Sequence, residues 1–155
     1  TLAPFVKEGY YEEPLFEEKF VLYVSPQHPL SSQKEVHWSN IPLGELILHE
    51  EFRNYLLSDK IRKDKLPLFI KKLGNIDYQS GSLETIRKII DRNGGLTLLP
   101  ELACSYMGKR RLEMVRPITG LGLSRTVVLV TPKGFEKNRI TKVIKKEILV
   151  GLRNN

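Results

Sequence analysis

The sequence predicts an α/β fold, and three observations carry that prediction. Short apolar runs of strand length, Phe20 to Val24, Leu46 to Leu48, Leu96 to Leu99 and Thr126 to Val130, are separated by stretches of helical periodicity. The runs are dense in Leu, Val, Ile and Phe, as strands buried on both faces are. Glycine and proline punctuate the boundaries between them. Strands alternating with helices argue for a parallel or mostly parallel sheet with helices on both faces. The ligand site of such a sheet lies beyond the carboxyl ends of its strands.

In chain order, Pro4 and Pro14 are expected to break any long element in residues 1 to 19. Phe20 to Val24 is a β-rich run closed by Ser25-Pro26, hence a strand. Gln27 to Asn40 is polar, contains Pro29 and reads as loop, and Leu46-Ile47-Leu48 reads as a second buried strand. Phe52, Tyr55, Leu56 and Ile61 set a helical stripe through Asp59. Lys63 to Gly74 is basic, with a short helix expected from Pro67, and Asn75 to Gln79 is the strand that delivers the chain to Ser82.

The passage from Gly81 to Ala103, GSLETIRKIIDRNGGLTLLPELA, carries the densest set of signals. Ser82 is an N-cap residue, and Glu84 in the first turn suits the helix dipole. Leu83, Ile86, Ile89 and Ile90 recur at helical spacing, so residues 83 to 92 form an amphipathic helix. Asn93-Gly94-Gly95 supplies a left-handed stop, Leu96 to Leu99 a strand buried on both faces, and Pro100 the first position of a following helix. Thr126 to Val130 is the last strand. A terminal helix from Lys137 to Arg153 is expected to bury Ile140, Val143, Ile144, Ile148 and Leu152.

A chain of 155 residues suits one domain or two small lobes. At that size folding buries roughly 70% of the surface exposed by the unfolded chain. A single cysteine, Cys104, excludes an internal disulfide. No apolar run has transmembrane length and no signal-peptide pattern opens the chain, so a cytoplasmic location without membrane contact is expected. The chain opens Thr1-Leu2-Ala3 and reads as a fragment or a processed piece. Its net charge of +7 is uneven: residues 108 to 155 hold 12 basic against 3 acidic side chains. The plainer reading of that excess is a solvated face on the terminal helix, and the functional one is electrostatic help toward DNA.

Ser82 opens a helix after a strand, so its hydroxyl and the amides of Leu83 and Glu84 suit a carboxylate or phosphate; the plainer role is a cap contributing about 1 kcal/mol. His49, ahead of Glu50 and Glu51 at a strand's carboxyl end, is the histidine in a cleft-like position, with a surface or capping role as the alternative. His28, His37 and His49 have no metal-ligand spacing with one another or with Cys104. No nucleophile elbow, P-loop or dinucleotide fingerprint occurs, so no metal, cofactor or catalytic residue is expected.

The string SLETIRKIIDRNGGLTLLPELA resembles the "SLETLR…V..G.GI.LLP..A" passage in the regulatory domain of LysR-type transcriptional regulators, most closely the OxyR-like branch. Two further pieces agree in order. Tyr10 to Leu30 resembles that family's passage into its second lobe, and Ser124 to Gly134, SRTVVLVTPKG, its strand leading back out. The resemblance implies a periplasmic-binding-protein-like, two-lobed effector-binding domain. In it, residues 20 to 124 form lobe two, residues 1 to 19 a part of lobe one, and residues 125 to 155 the return strand and C-terminal helix toward lobe one. It also implies a small, anionic effector between the lobes, with Arg125 matching the Arg-Thr pair that heads the return strand. The alternative for Arg125 is a plain sheet-end arginine.

The same resemblance implies a homodimer or homotetramer that meets DNA through a winged helix-turn-helix absent from these residues, with ligand binding altering the grip on DNA. One departure bears on mechanism. The OxyR-like branch senses peroxide through a cysteine in a Gly-His-Cys string after the strand equivalent to Leu46 to Leu48, with a second cysteine downstream. This chain reads HEEFRNYLLSDKI there, so both thiols are missing, and Cys104 is expected to pack in the core. A periplasmic-type solute-binding protein fragment is the alternative reading of the whole chain; an enzyme on the same scaffold ranks below it.

Overall fold

The computed structural model describes residues 1–3, 5, 7–49, 52, 82–120, 123–135 and 138–153. Two compact units divide the chain, one of Thr1–Lys19 with Leu123–Asn155, the other of Phe20–Gly122. Strand β1, Tyr10–Val24, runs through both.

In the larger unit, Phe20 to Val24 of β1 is buried on both faces and occupies the middle of the sheet. On one side it pairs antiparallel with β3, Leu96–Pro100, in the register Phe20 to Pro100 through Val24 to Leu96. On the other it pairs antiparallel with β4, Val115–Thr119, which in turn pairs parallel with β2, Val36–His37. Leu46 makes a parallel bridge to Leu96, and Thr97 Oγ1 donates to the Ile47 carbonyl at 2.5 Å, so the run at Leu46 lines up along β3. The sheet is therefore mixed, not mostly parallel as the alternation of elements suggests. Helical crossovers set the parallel pairs, but β1 enters from the other unit, and that entry fixes its direction against its neighbours.

Helix α1, Leu83–Asn93, forms where its periodicity places it. Ser82 caps it, Ile86 and Ile90 are buried, and Gly94, at φ +84°, closes it with its N–H on the Ile90 carbonyl. Pro100 ends β3 and precedes a single 3-10 turn, Glu101–Cys104, where a helix is expected. A one-turn helix α2, Lys109–Leu112, follows. Val21, Tyr23, Ile86, Ile90, Leu99, Cys104, Met107 and Met114 make the core between sheet and helix. The expected loop at Gln27 to Asn40 contains two 3-10 turns, Pro29–Ser32 and Trp38–Asn40, with β2 between them. Phe52 is helical and buried, its ring 4.4 Å from that of Phe20 in an edge contact. The expected stripe from Tyr55 to Ile61, the helix from Pro67 and the strand Asn75 to Gln79 lie outside the described residues.

In the smaller unit, Tyr10 to Lys19 of β1 pairs antiparallel with β5, Ser124–Pro132. Pro14 does not break this element. The register shifts between Pro14 and Phe16, and a bulge is where a strand tolerates a residue without an N–H. Helix α3, Asn138–Arg153, corrects a second expectation. Ile140, Val143, Ile144 and Ile148 are 50, 54, 45 and 37% exposed, while Thr141, Lys145, Leu149 and Leu152 form the less exposed stripe. Periodicity identifies an apolar face without saying what covers it.

Candidate functional site

The two-glycine turn after α1 reverses the chain into β3, so the helix starts at the end of the sheet where β3 finishes. Eleven helical residues span roughly 16 Å and five strand residues roughly 16 Å, so the lengths match. Leu83, in the first turn, packs on the core cluster that contains Leu99 and Cys104, consistent with that placement. The capped start of α1 thus stands at the carboxyl end of β3, where α/β sheets hold ligands. His49 follows the run that lies parallel to β3, so it too lies toward the carboxyl end, and it is half-buried.

At this helix start the main-chain hydrogen bonds are specific. Ser82 Oγ accepts from the Glu84 amide at 3.2 Å, and the Ser82 carbonyl accepts from the amides of Thr85 at 3.1 Å and Ile86 at 3.2 Å. The Glu84 amide, expected to face a ligand, is taken by the cap, and the Leu83 amide is the one left at the helix start by these bonds. The Glu84 carboxylate pairs with Arg87 and stands 3.8 Å from Arg111, so two guanidiniums offset its negative charge beside the cap.

Arg111 also pairs with Asp91 at 3.1 Å, and Asp91 accepts from the Tyr23 hydroxyl at 2.6 Å. Burial first, then the hydrogen bond and negative charge of Asp91, push the Tyr23 phenol well above its ordinary value. A network therefore runs from the sheet centre at Tyr23 through Asp91 and Arg111 to Glu84 in the first turn of α1. Sequence reading missed it, because Lys109-Arg110-Arg111 registers there only as surplus charge. Arg125 belongs to the smaller unit, where its Nε donates to Glu18 at 2.7 Å and the Glu18 side chain is 3% exposed. Next to it on β1, Glu17 accepts from Thr126 at 2.6 Å and from Ser124 at 2.9 Å, which holds its carboxyl below the usual value.

Among the described residues no group of three or more His, Cys, Asp or Glu side chains is placed to hold a metal ion. Cys104 is buried in the core cluster of the larger unit. No helix among the described residues is long and apolar enough to cross a membrane.

A family model described as the LysR substrate binding domain matches residues 1–146. The hydrogen peroxide-inducible genes activator of Haemophilus influenzae is 29% identical over 153 residues, covering 94% of this chain and 50% of that protein. The protein of the same name from Dickeya chrysanthemi is 31% identical over 130 residues, covering 82% of this chain and 40% of that one. The chain spans half or less of the length of these relatives. Among solved structures, the reduced OxyR regulatory domain of Pseudomonas aeruginosa superposes with a TM-score of 0.74 at 24% identity, over 97% of this chain and 70% of that one. OxyR of Porphyromonas gingivalis gives 0.75 at 21% identity, over 94% and 65%. These likenesses establish the fold.

Proposed function

This chain belongs to the LysR substrate-binding domain family, and on that premise we propose that it is the effector-binding domain of an OxyR-like, DNA-binding transcriptional regulator. The larger unit is then lobe two and the smaller one a part of lobe one. The work of the chain is binding, not catalysis. A small anionic effector settles against the start of α1, held by Ser82 and the Leu83 amide, with His49 as a neighbouring polar group. Arg125, in the smaller unit, is proposed separately as an anion contact; a guanidinium has five N–H groups, so its pair with Glu18 does not preclude a second acceptor. In the full protein, a cytoplasmic homodimer or homotetramer carries DNA-binding domains, and effector binding shifts their arrangement.

The observation that carries the ligand site is the capped helix start at the carboxyl end of β3, with its nearby carboxylate offset by Arg87 and Arg111. The partial positive end of the helix favours an anion there. The relatives are named as peroxide-inducible activators, whereas this chain holds one cysteine, in the core. On this reading the signal is effector occupancy. Calorimetric screening of the chain against small carboxylates and phosphate esters tests this reading. An effector at the start of α1 should lose on the order of 1 kcal/mol in Ser82→Ala, and an anion held by Arg125 should lose roughly 1.5 to 3 kcal/mol in Arg125→Ala. Undiminished affinity in both variants, with the fold intact by circular dichroism, eliminates the site.

A further inference from the structure

A second feature of the larger unit lies toward the other end of α1. Asp91, in the last turn of that helix, lines a cavity of about 480 Å³ together with Val24, Gln27, Met114 and the basic segment that follows α2's start. Nine residues separate Asp91 from Ser82, a rise of roughly 14 Å along the axis. The volume lies within the range of small-molecule sites, roughly 300 to 1,000 Å³.

Three guanidiniums line this cavity, those of Arg110, Arg111 and Arg116, against two carboxylates, Asp91 and Glu113. Asp91 is already occupied: Arg111 pairs with it at 3.1 Å and Tyr23 donates to it at 2.6 Å. Arg116 is held differently. Its Nη1 donates to the carbonyls of Glu113 at 2.6 Å and Val115 at 2.8 Å, and its Nη2 to that of Ser31, so neutral acceptors fix its place and leave its charge uncompensated. Among the described residues no carboxylate pairs with Arg116 or Arg110, and the buried Nε of Arg116 has no acceptor. With Asp91 and Arg111 cancelling, Arg110 and Arg116 outweigh Glu113.

We infer that this cavity is a second binding site, for a small molecule bearing a phosphoryl or carboxylate group. Arg110 and Arg116 are its charged donors, the Gln27 amide a neutral donor, and Val24 with Met114 its apolar wall. The forked N–H groups of Arg110 can match two oxygens of either anion at once, while Arg116, with three N–H groups on carbonyls and its Nε buried, offers the remaining Nη2 N–H and its charge. The Glu113 carboxylate subtracts from this pull on its side of the cavity.

Calorimetry on the whole chain, at fixed ionic strength, with pyrophosphate and citrate as probes tests this inference. At least one probe should bind one-to-one, and its preference over the other distinguishes phosphoryl from carboxylate recognition. Arg110 is exposed, so Arg110→Gln leaves the fold intact and should weaken binding roughly tenfold. Glu113→Gln should tighten it roughly threefold. Ser82→Ala should leave it unchanged, which separates this site from the one at the start of α1. Failure of both probes to bind at about 10 mM, or equal affinity in wild type, Arg110→Gln and Glu113→Gln, overturns the inference. So does binding lost in Ser82→Ala and kept in Arg110→Gln.

Discussion

Tyr23 shows how one side chain joins core and site. Its ring is fully buried in the sheet and its hydroxyl donates to Asp91, whose other oxygen meets Arg111. Tyr23→Phe leaves Asp91 paired with Arg111, so urea denaturation should register a loss of about 1 kcal/mol at neutral pH. The pH dependence has a definite sign. Because the folded phenol titrates above its ordinary value, its contribution is complete below about pH 10 and falls at higher pH, where the unfolded phenol ionises first. Tyr23→Phe should flatten that alkaline loss. Glu17 has the opposite sign. Its carboxyl is held low by Thr126 and Ser124, so its contribution is present above the ordinary carboxylate range and is lost as pH falls through its folded value. A Ser124→Ala, Thr126→Val double variant should show a shallower fall in Tm between neutral and acid pH. The Arg125 and Glu18 pair was beyond sequence reading because its members stand 107 residues apart. Arg125→Ala takes the guanidinium from a buried carboxylate and should cost about 3 kcal/mol of stability, which any binding measurement on that variant must separate.

The passage through α1 and β3 was legible because cap, periodicity, glycine stop and apolar run are local signals that agree with one another. The first half of β1 was not. Glu12, Glu13 and Pro14 disguise a strand whose order comes from its ladder with β5, a partner far along the chain. Helix α3 was legible as a helix and illegible in its orientation, since its less exposed stripe runs through Lys145, which pairs with Glu13, instead of through Ile144. The connection after β4 opens on a glycine. Gly120 has φ +81°, and a Cβ there would collide with the His37 ring on the neighbouring strand. Gly120→Ala should therefore destabilise the larger unit by roughly 1 to 3 kcal/mol in a denaturation experiment, through backbone strain and overpacking together.

For the whole molecule, the fold class and family were readable from the Ser82 to Ala103 passage and its two companions, whereas the mixed sheet was not, because strand direction follows from how β1 enters. The start of α1 was legible from Ser82. The guanidiniums around it were not, since Arg87 and Arg111 become its neighbours only when the chain folds. The central claim is that an anionic effector engages this helix start. Amide chemical-shift mapping of the isotopically labelled chain, titrated with the tightest ligand from the calorimetric screen, addresses it directly. Saturable shifts centred on the amides of Leu83 and Glu84, and moved to roughly fivefold higher ligand concentration in Ser82→Ala, are the result expected. Saturable binding whose shifts leave the start of α1 untouched would contradict it.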